Sequence, residues 1–352
     1  MQKRTHITGK TVAIIIIVAL AIIAGITAFY RIDTTGRKGS GLGPEFSYDL
    51  DTYRKIDPDL IIYEEIKKFS TGLRETRAIA VGRSDNQNIY VAGDSVIVKF
   101  SPDGKRLSEI QLENPPRCLT VGEDDTIYVG TKNYIAVYND EGKRLSQWEH
   151  LGPNAYLTSI AVEKNHVFAA DAGNRIIHHL DITGSVINQI GAKDPSRNIP
   201  GFVIPSPYFD IAVAADGLLR ATNPGKHRIE AYTFKGDLEF FWGRPSLAIE
   251  AFCGCCNPVN FALLPDGSFV TCEKGLTRVK TFDTEGNFIG VVAGPQQFIE
   301  HEKLCNEKTA DRTAVGLDVA VDKQGRILIL DSCMKEIRIF IRKKDQNKNK
   351  NK

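Results

Sequence analysis

Six stretches of the chain repeat one pattern: a short apolar strand, a polar or glycine-bearing tip, and a returning strand. Together they predict an all-β fold, a six-bladed β-propeller of four-stranded antiparallel blades, preceded by one N-terminal transmembrane helix. The first halves of the repeats read AIAVGRSDNQNIYVAG from Ala78, CLTVGEDDTIYVG from Cys118, SIAVEKNHVFAAD from Ser159, DIAVAADGLLRAT from Asp210, NFALLPDGSFVTC from Asn260 and DVAVDKQGRILILD from Asp318. The second halves add two more strands, as in GNRIIHHLDITGSVINQIG from Gly173 and GLTRVKTFDTEGNFIGVVAG from Gly275. Apolar and polar residues alternate with a period of two, and DG, EG or TG marks the turns, which is the signal of antiparallel hairpins. The sixth repeat ends at Phe340-Ile341 without an outermost strand, whereas LIIYEEIKKF from Leu60 has the character to supply one. The ring is therefore expected to close through this N-terminal strand, which removes an exposed sheet edge.

Taken in order, residues 1–10 read as a short cytoplasmic terminus and 11–30 as a membrane anchor. TVAIIIIVALAIIAGITAFY, from Thr11 to Tyr30, holds no charge over twenty residues, and at ~1.5 Å per residue it matches a hydrocarbon core of roughly 30 Å. Its one small-residue site, Ile26-Thr27-Ala28, is a poor cleavage site, so the segment is expected to stay as a single-pass anchor. Flanking charges balance, with Lys3, Arg4 and Lys10 before it and Arg31, Arg37 and Lys38 after it. The short N-terminus with its free amine favours a cytoplasmic start and an extracytoplasmic domain, periplasmic or extracellular. Residues 31–59, rich in Gly, Ser and charge at their start, read as a flexible stalk. The propeller is assigned to 60–341, and the basic low-complexity run 342–352 to a disordered tail.

Charge excludes one class of partner. Against 45 basic residues stand 43 acidic ones, a net charge of +2 over 352 residues, so there is no global field to hold a polyanion, and the basic tail lacks aromatic residues to stack on bases. No nucleic-acid partner is expected. The membrane, and a protein or small-molecule ligand on a propeller face, are. Phosphate-cradling glycine loops, GxSxG elbows, HExxH and CxxCH are all absent, so the chain is not marked as an enzyme and no covalent haem is indicated.

DAGNRI at Asp171, NPGKHRI at Asn223 and EKGLTRV at Glu273 resemble the NHL repeat family, whose repeats carry an acidic residue or Asn, a Gly, and an Arg before Ile or Val. The resemblance covers 77–341 and is good in three blades, while the first two blades lack the Arg. It implies a six-bladed propeller used as a platform for ligands or partners.

Two constellations could carry chemistry. Six of the seven cysteines, Cys253, Cys255, Cys256, Cys272, Cys305 and Cys333, fall near blades five and six, and the blade topology sends them toward one rim. Disulfides across long extracytoplasmic loops, a zinc or iron–sulfur site on thiolates, and ordinary packing or free thiols all remain open, since CxCC matches no standard ligand spacing. Vicinal Cys255 and Cys256 are expected to have separate partners or none. The second constellation comes from aligning the innermost strands, which puts Ala78, Cys118, Ser159, Asp210, Asn260 and Asp318 at equivalent positions near the channel mouth. Asp210, Asn260 and Asp318 could hold a hard cation such as calcium, or could cap backbone groups and channel water. A calcium site there would be similar to that of the lactonase-like six-bladed hydrolases, which implies a metal-dependent hydrolase or lyase as the alternative to a binding platform; the paired acid or base of such enzymes has no clear match. His178 and His179 read as mid-strand packing residues, and His227 as a lone rim histidine.

Overall fold

The computed structural model describes residues 9–31, 50–308 and 316–344, and the chain divides into two compact units, 1–50 and 51–352. In the first unit Gly9–Arg31 is a helix of 23 residues, α1. Among the described residues, however, no helix is long and apolar enough to cross a membrane. The transmembrane helix expected over 11–30 is therefore not found among the described residues.

In the second unit six four-stranded sheets follow one another along the chain. Their innermost strands are Ala78–Val81, Cys118–Val121, Leu157–Glu163, Ile211–Val213, Asn260–Leu263 and Leu317–Val321. Five blades are plain meanders. The sixth takes its outermost strand from the other end of the domain: Tyr63–Ser70 pairs antiparallel with Glu336–Arg342, from Tyr63 opposite Arg342 to Ser70 opposite Glu336. The closure expected from Leu60 onward is what the fold adopts, and it gives the sixth blade its full four strands.

Core formation follows from the same repeat. Second strands such as Ile89–Gly93 and Ile327–Asp331 are buried along their whole length, whereas the outermost strand Arg144–Gln147 is exposed throughout. Each sheet therefore buries both faces against its neighbours, and the apolar side chains segregate into six clusters, one per interface between blades. Ile229 and Trp242 of blade four, for example, pack against Phe252, Phe261, Phe269 and Phe282 at blade five. At about 1.5–3 kcal/mol for each large apolar side chain fully removed from water, these wedges supply the main driving force that holds the ring.

The polar repeat positions clasp adjacent loops. Asp171, Asn223, Glu273 and Asp331 each end the second strand of their blade. Asp171 Oδ1 accepts from the backbone N–H of Tyr156 at 2.9 Å and of Gly173 at 3.0 Å, and Asn223 Oδ1 accepts from Val203 N at 2.9 Å. Glycine follows because a Cβ at Gly173 would run into the Asn154 carbonyl oxygen, and one at Gly225 into Val203.

Part of the expected stalk is built into the domain. Leu50–Arg54 forms a short helix, α2, and Pro58–Leu60 a 3₁₀ turn. The Arg54 carbonyl accepts from Gln296 Nε2 at 2.8 Å, and its guanidinium pairs with Glu302. Residues 32–49 and the tail from 345 onward lie outside the described residues.

Candidate functional site

A cavity of about 650 Å³ runs along the ring axis, and Ala78, Cys118, Ser159, Asp210, Asn260 and Asp318 all line it. The alignment of the six innermost strands is thus realised in space. Arg77, Arg117, Tyr156, Tyr208 and Ser332 line the cavity on the side where those strands begin, and Arg83, Glu123 and Lys323 where they end.

The polar residues on the wall cap backbone groups, one of the roles open to them from the sequence. Asp210 Oδ1 accepts from Ile211 N at 2.9 Å and Oδ2 from Phe261 N of blade five at 2.8 Å. Asp318 Oδ1 accepts from Val319 N, and Oδ2 from Ile79 N of blade one, both at 2.9 Å. Asn260 Nδ2 donates to the Leu317 carbonyl of blade six at 2.7 Å. Ser159 Oγ accepts from Ile211 N of blade four at 3.3 Å. Each side chain reaches across one blade boundary, so together they stitch the inner ring while their remaining lone pairs face the channel.

The channel also sets their acidity. Burial pushes Asp210 up to about 6, and burial together with the charge of Asp210 pushes Asp318 up to about 7. Two carboxylates that repel each other across a low-dielectric wall attract cations or hydrogen-bond donors. Beside them the Cys118 thiol is raised by burial and by the same two charges, and stays protonated. At the mouth the Arg117 guanidinium lies 4.6 Å from the centre of the Tyr156 ring and bonds the Tyr156 hydroxyl. Arg77 Nη2 pairs with Glu75 at 2.9 Å. Sequence reasoning missed both arginines, although each stands one position before an aligned channel residue and the same alignment would have found them.

The cysteines divide into distinct groups. Cys305 and Cys333 are joined as a disulfide with Cα atoms 5.9 Å apart, tying the helix Ile299–Lys308, α3, to the loop after the second strand of blade six. His301 of α3 lies beside it, its Nδ1 2.6 Å from Asp331 Oδ1 and its Nε2 3.5 Å from Cys305 Sγ. His301, Cys305 and Cys333 are the group of three ligand-type side chains that converge within 4.8 Å among the described residues, but both sulfurs are spent in the disulfide. Cys272 is fully buried in the core between blades five and six, where burial raises its thiol well above the usual range. Cys253 is buried too, and burial and then the Glu273 charge raise it.

Cys255 and Cys256 form the last group. Their sulfurs are 3.3 Å apart, with Cys255 exposed and Cys256 buried. The loop is pinned from several sides. Asn257 Nδ2 donates to the carbonyls of Cys253 at 2.7 Å and Lys274 at 2.9 Å, and His227 Nε2 lies 2.6 Å from the Gly254 carbonyl oxygen. His227 thus belongs to the cysteine loop. His178 instead contacts Asp171 at 3.1 Å, and His179 contacts His166 at 2.9 Å, away from any thiol contact. Beneath the approach to this loop Lys280 is fully buried, donating to Glu273 Oε1 at 3.0 Å and to the carbonyls of Ile249 at 2.9 Å and Ala251 at 2.6 Å. Arg278 completes the group, with Nε 2.6 Å from Glu273 Oε2.

Fold and cavity together define a six-bladed β-propeller with an axial polar channel. Solved structures share that architecture. A protein of unknown function from Bacteroides thetaiotaomicron aligns with a TM-score of 0.56 at 14% identity, over 79% of this chain and 75% of that one. Virginiamycin B lyase from Staphylococcus aureus aligns at 0.51 and 14% identity, over 79% of this chain and 99% of the lyase. A streptogramin B lyase aligns at 0.50 and 13% identity, over 80% and 98%. At these identities the likeness speaks for the fold. No family model matches the sequence, and no curated protein matches it either.

Proposed function

We propose that this chain is an extracytoplasmic binding propeller that takes a small polar ligand, or a segment of a partner protein, into the mouth of its central channel beside the cysteine-bearing loops. The observation that carries the reading is the axial cavity of about 650 Å³, with Arg77 and Arg117 at one end and Asp210, Asn260 and Asp318 on its wall. A volume in that range suits a small molecule, and opposed charges along it would fix the ligand's orientation. Kinship with NHL repeats belongs to the same proposal, supported by the shared loop-clasping role of Asp171 and Asn223. An extracytoplasmic location is supported by the Cys305–Cys333 disulfide, and membrane association by the uncharged run 11–30; cell fractionation tests both.

A second reading is favoured by one observation. Asp210, Asn260 and Asp318 offer a hard-oxygen donor set whose two carboxylates carry unrelieved repulsion, which fits a divalent cation such as calcium, and two of the structural neighbours are lyases. Those three residues would hold the ion, which would supply electrophilic assistance in a lyase or hydrolase reaction. Zinc or iron–sulfur chemistry on the cysteines has less support, because the disulfide removes two of the six thiols.

Thermal unfolding with calcium or with chelator separates the readings. The binding-platform reading expects the same midpoint in both, and Arg117→Ala to abolish retention of whatever small molecule native mass spectrometry finds on the purified protein. A midpoint that rises with calcium in the parent and not in Asp318→Asn overturns it in favour of the metal-dependent enzyme.

A further inference from the structure

We propose that Cys255 and Cys256 are a reversible dithiol–disulfide couple, in which the exposed Cys255 sulfur exchanges with thiols from solution and Cys256 is the leaving thiolate. Three observations carry it. The two sulfurs are already 3.3 Å apart, so closing the bond requires a short approach and no rearrangement of distant loops. The pair sits on a loop fixed by Asn257 and His227, which holds both sulfurs in one place at little entropic cost. The two sulfurs also differ in surroundings: Cys255 is open to solvent, whereas Cys256 is 3% exposed and has the Ser206 hydroxyl and the Lys274 ammonium at its sulfur.

That asymmetry assigns the roles. Burial opposes ionisation of Cys256, yet the hydrogen bonds from Ser206, Lys274 and Cys255 outweigh it and hold this thiol below the usual range. The hydrogen bond to Cys256, and then burial, push Cys255 up. Lys274 is itself placed, with Nζ 3.0 Å from Ser206 Oγ and 4.5 Å from the centre of the Tyr208 ring. A stabilised thiolate leaves a disulfide faster, and the incoming thiol needs an accessible sulfur; Cys256 meets the first condition and Cys255 the second. The ammonium also decides against a cation site here, because a soft metal ion at Cys256 would have to displace or sit beside a fixed positive charge.

The chemistry closes without other groups. A thiolate RS⁻ attacks Cys255 Sγ of the oxidised pair, the Cys255–Cys256 bond breaks, and its electron pair leaves on Cys256 Sγ. A second RS⁻ attacks the R sulfur of the mixed disulfide, releasing RSSR and a Cys255 thiolate that takes a proton from water. One vicinal disulfide and two thiols thus give one dithiol and one disulfide, and the reverse steps oxidise the pair.

The test equilibrates the full chain in buffers of graded reduced and oxidised glutathione, quenches with acid, alkylates, and reads the peptide holding residues 255 and 256 by mass. In oxidising buffer Cys255 and Cys256 should together lose two hydrogens and take no alkyl group, and in reducing buffer each should take one, as read from fragment ions that separate them from the free thiol of Cys253. Cys256→Ser should leave a stable glutathione adduct on Cys255, and Cys255→Ser should leave Cys256 free of adduct. Lys274→Met should shift the half-reduction point by about tenfold toward reduced glutathione by removing the charge that stabilises the leaving thiolate; Ser206→Ala should move it the same way by less, and serves if Lys274→Met fails to fold. The proposal is overturned if the parent peptide remains a dithiol in fully oxidised buffer, if both cysteines carry separate adducts, or if neither Lys274→Met nor Ser206→Ala moves the midpoint.

Discussion

Blades one and two and blades five and six are built from the same repeat and solve the same packing problem, yet they invest differently. Between blades one and two the chain passes from Gln111 to Cys118 with little intervening structure, and the interface is an apolar cluster. The paired charges there stay near the surface, as in the contact of 2.5 Å between Lys99 and Asp140. Between blades four and five and between five and six the connections are long, from Trp242 to Asn260 and from Ala293 to Leu317. They are held by charges with no exposure, Glu273 and Lys280, and by a disulfide. The ring itself needs only the first kind of interface. Buried ions and a cross-link appear where long connections must be held in place.

The sharpest way to break this contrast is to remove one buried charge. Lys280→Met leaves Glu273 facing Arg278 alone and strips the Ile249 and Ala251 carbonyls of their donor, so denaturant unfolding should show a loss of about 3–5 kcal/mol. Lys99→Met in blade one should cost no more than ~1 kcal/mol. Equal losses at the two sites would erase the distinction. Next in size is the cross-link. Cys305→Ser opens a loop spanning 28 residues and should lower stability by about 3 kcal/mol, while Cys255→Ser, on an exposed side chain, should be nearly silent in the same melt.

Smaller effects are expected from the channel carboxylates. Asp318 titrates at about 7 and Asp210 at about 6 in the folded ring, against about 4 in an unfolded chain. The folded state therefore holds their protons more tightly, the stabilisation is complete near the unfolded value, and it drains away as pH climbs through 6 and 7. The thermal midpoint should decline by a few degrees from pH 5 to pH 8, and Asp318→Asn should flatten the slope. At pH 5 that variant should melt below the parent, because an amide nitrogen cannot accept from Ile79 or Val319. A parent midpoint that rises across this window would contradict the channel electrostatics.

Much of the architecture was legible because the repeat is local. Two strands and a turn can be read from a dozen residues, and aligning six of them brings Asp210, Asn260 and Asp318 to one wall. Closure by 60–69 was legible from an arithmetic deficit, a sixth blade one strand short. Contacts that cross blade boundaries were legible only in kind: backbone capping was open to Asp210 and Asp318, but nothing in DIAV or DVAV says that the carboxylate accepts from the next blade's N–H. His301 was equally hidden, since it lies on a helix inside a connection with no repeat to align, and its neighbour Asp331 is thirty positions away. The apolar run 11–30 had the opposite fault, a strong compositional signal for which the fold offers no matching span among the described residues.

Pairing Tyr63–Ser70 with Glu336–Arg342 also sets a condition on assembly. The first strand of the domain to leave the ribosome waits for the last, so five blades can stack while the circle is still open and the sixth is a sheet short of its outer rail. Loss of a few residues from either side of that seam would leave the rest of the domain with its cores formed and its ring unlatched.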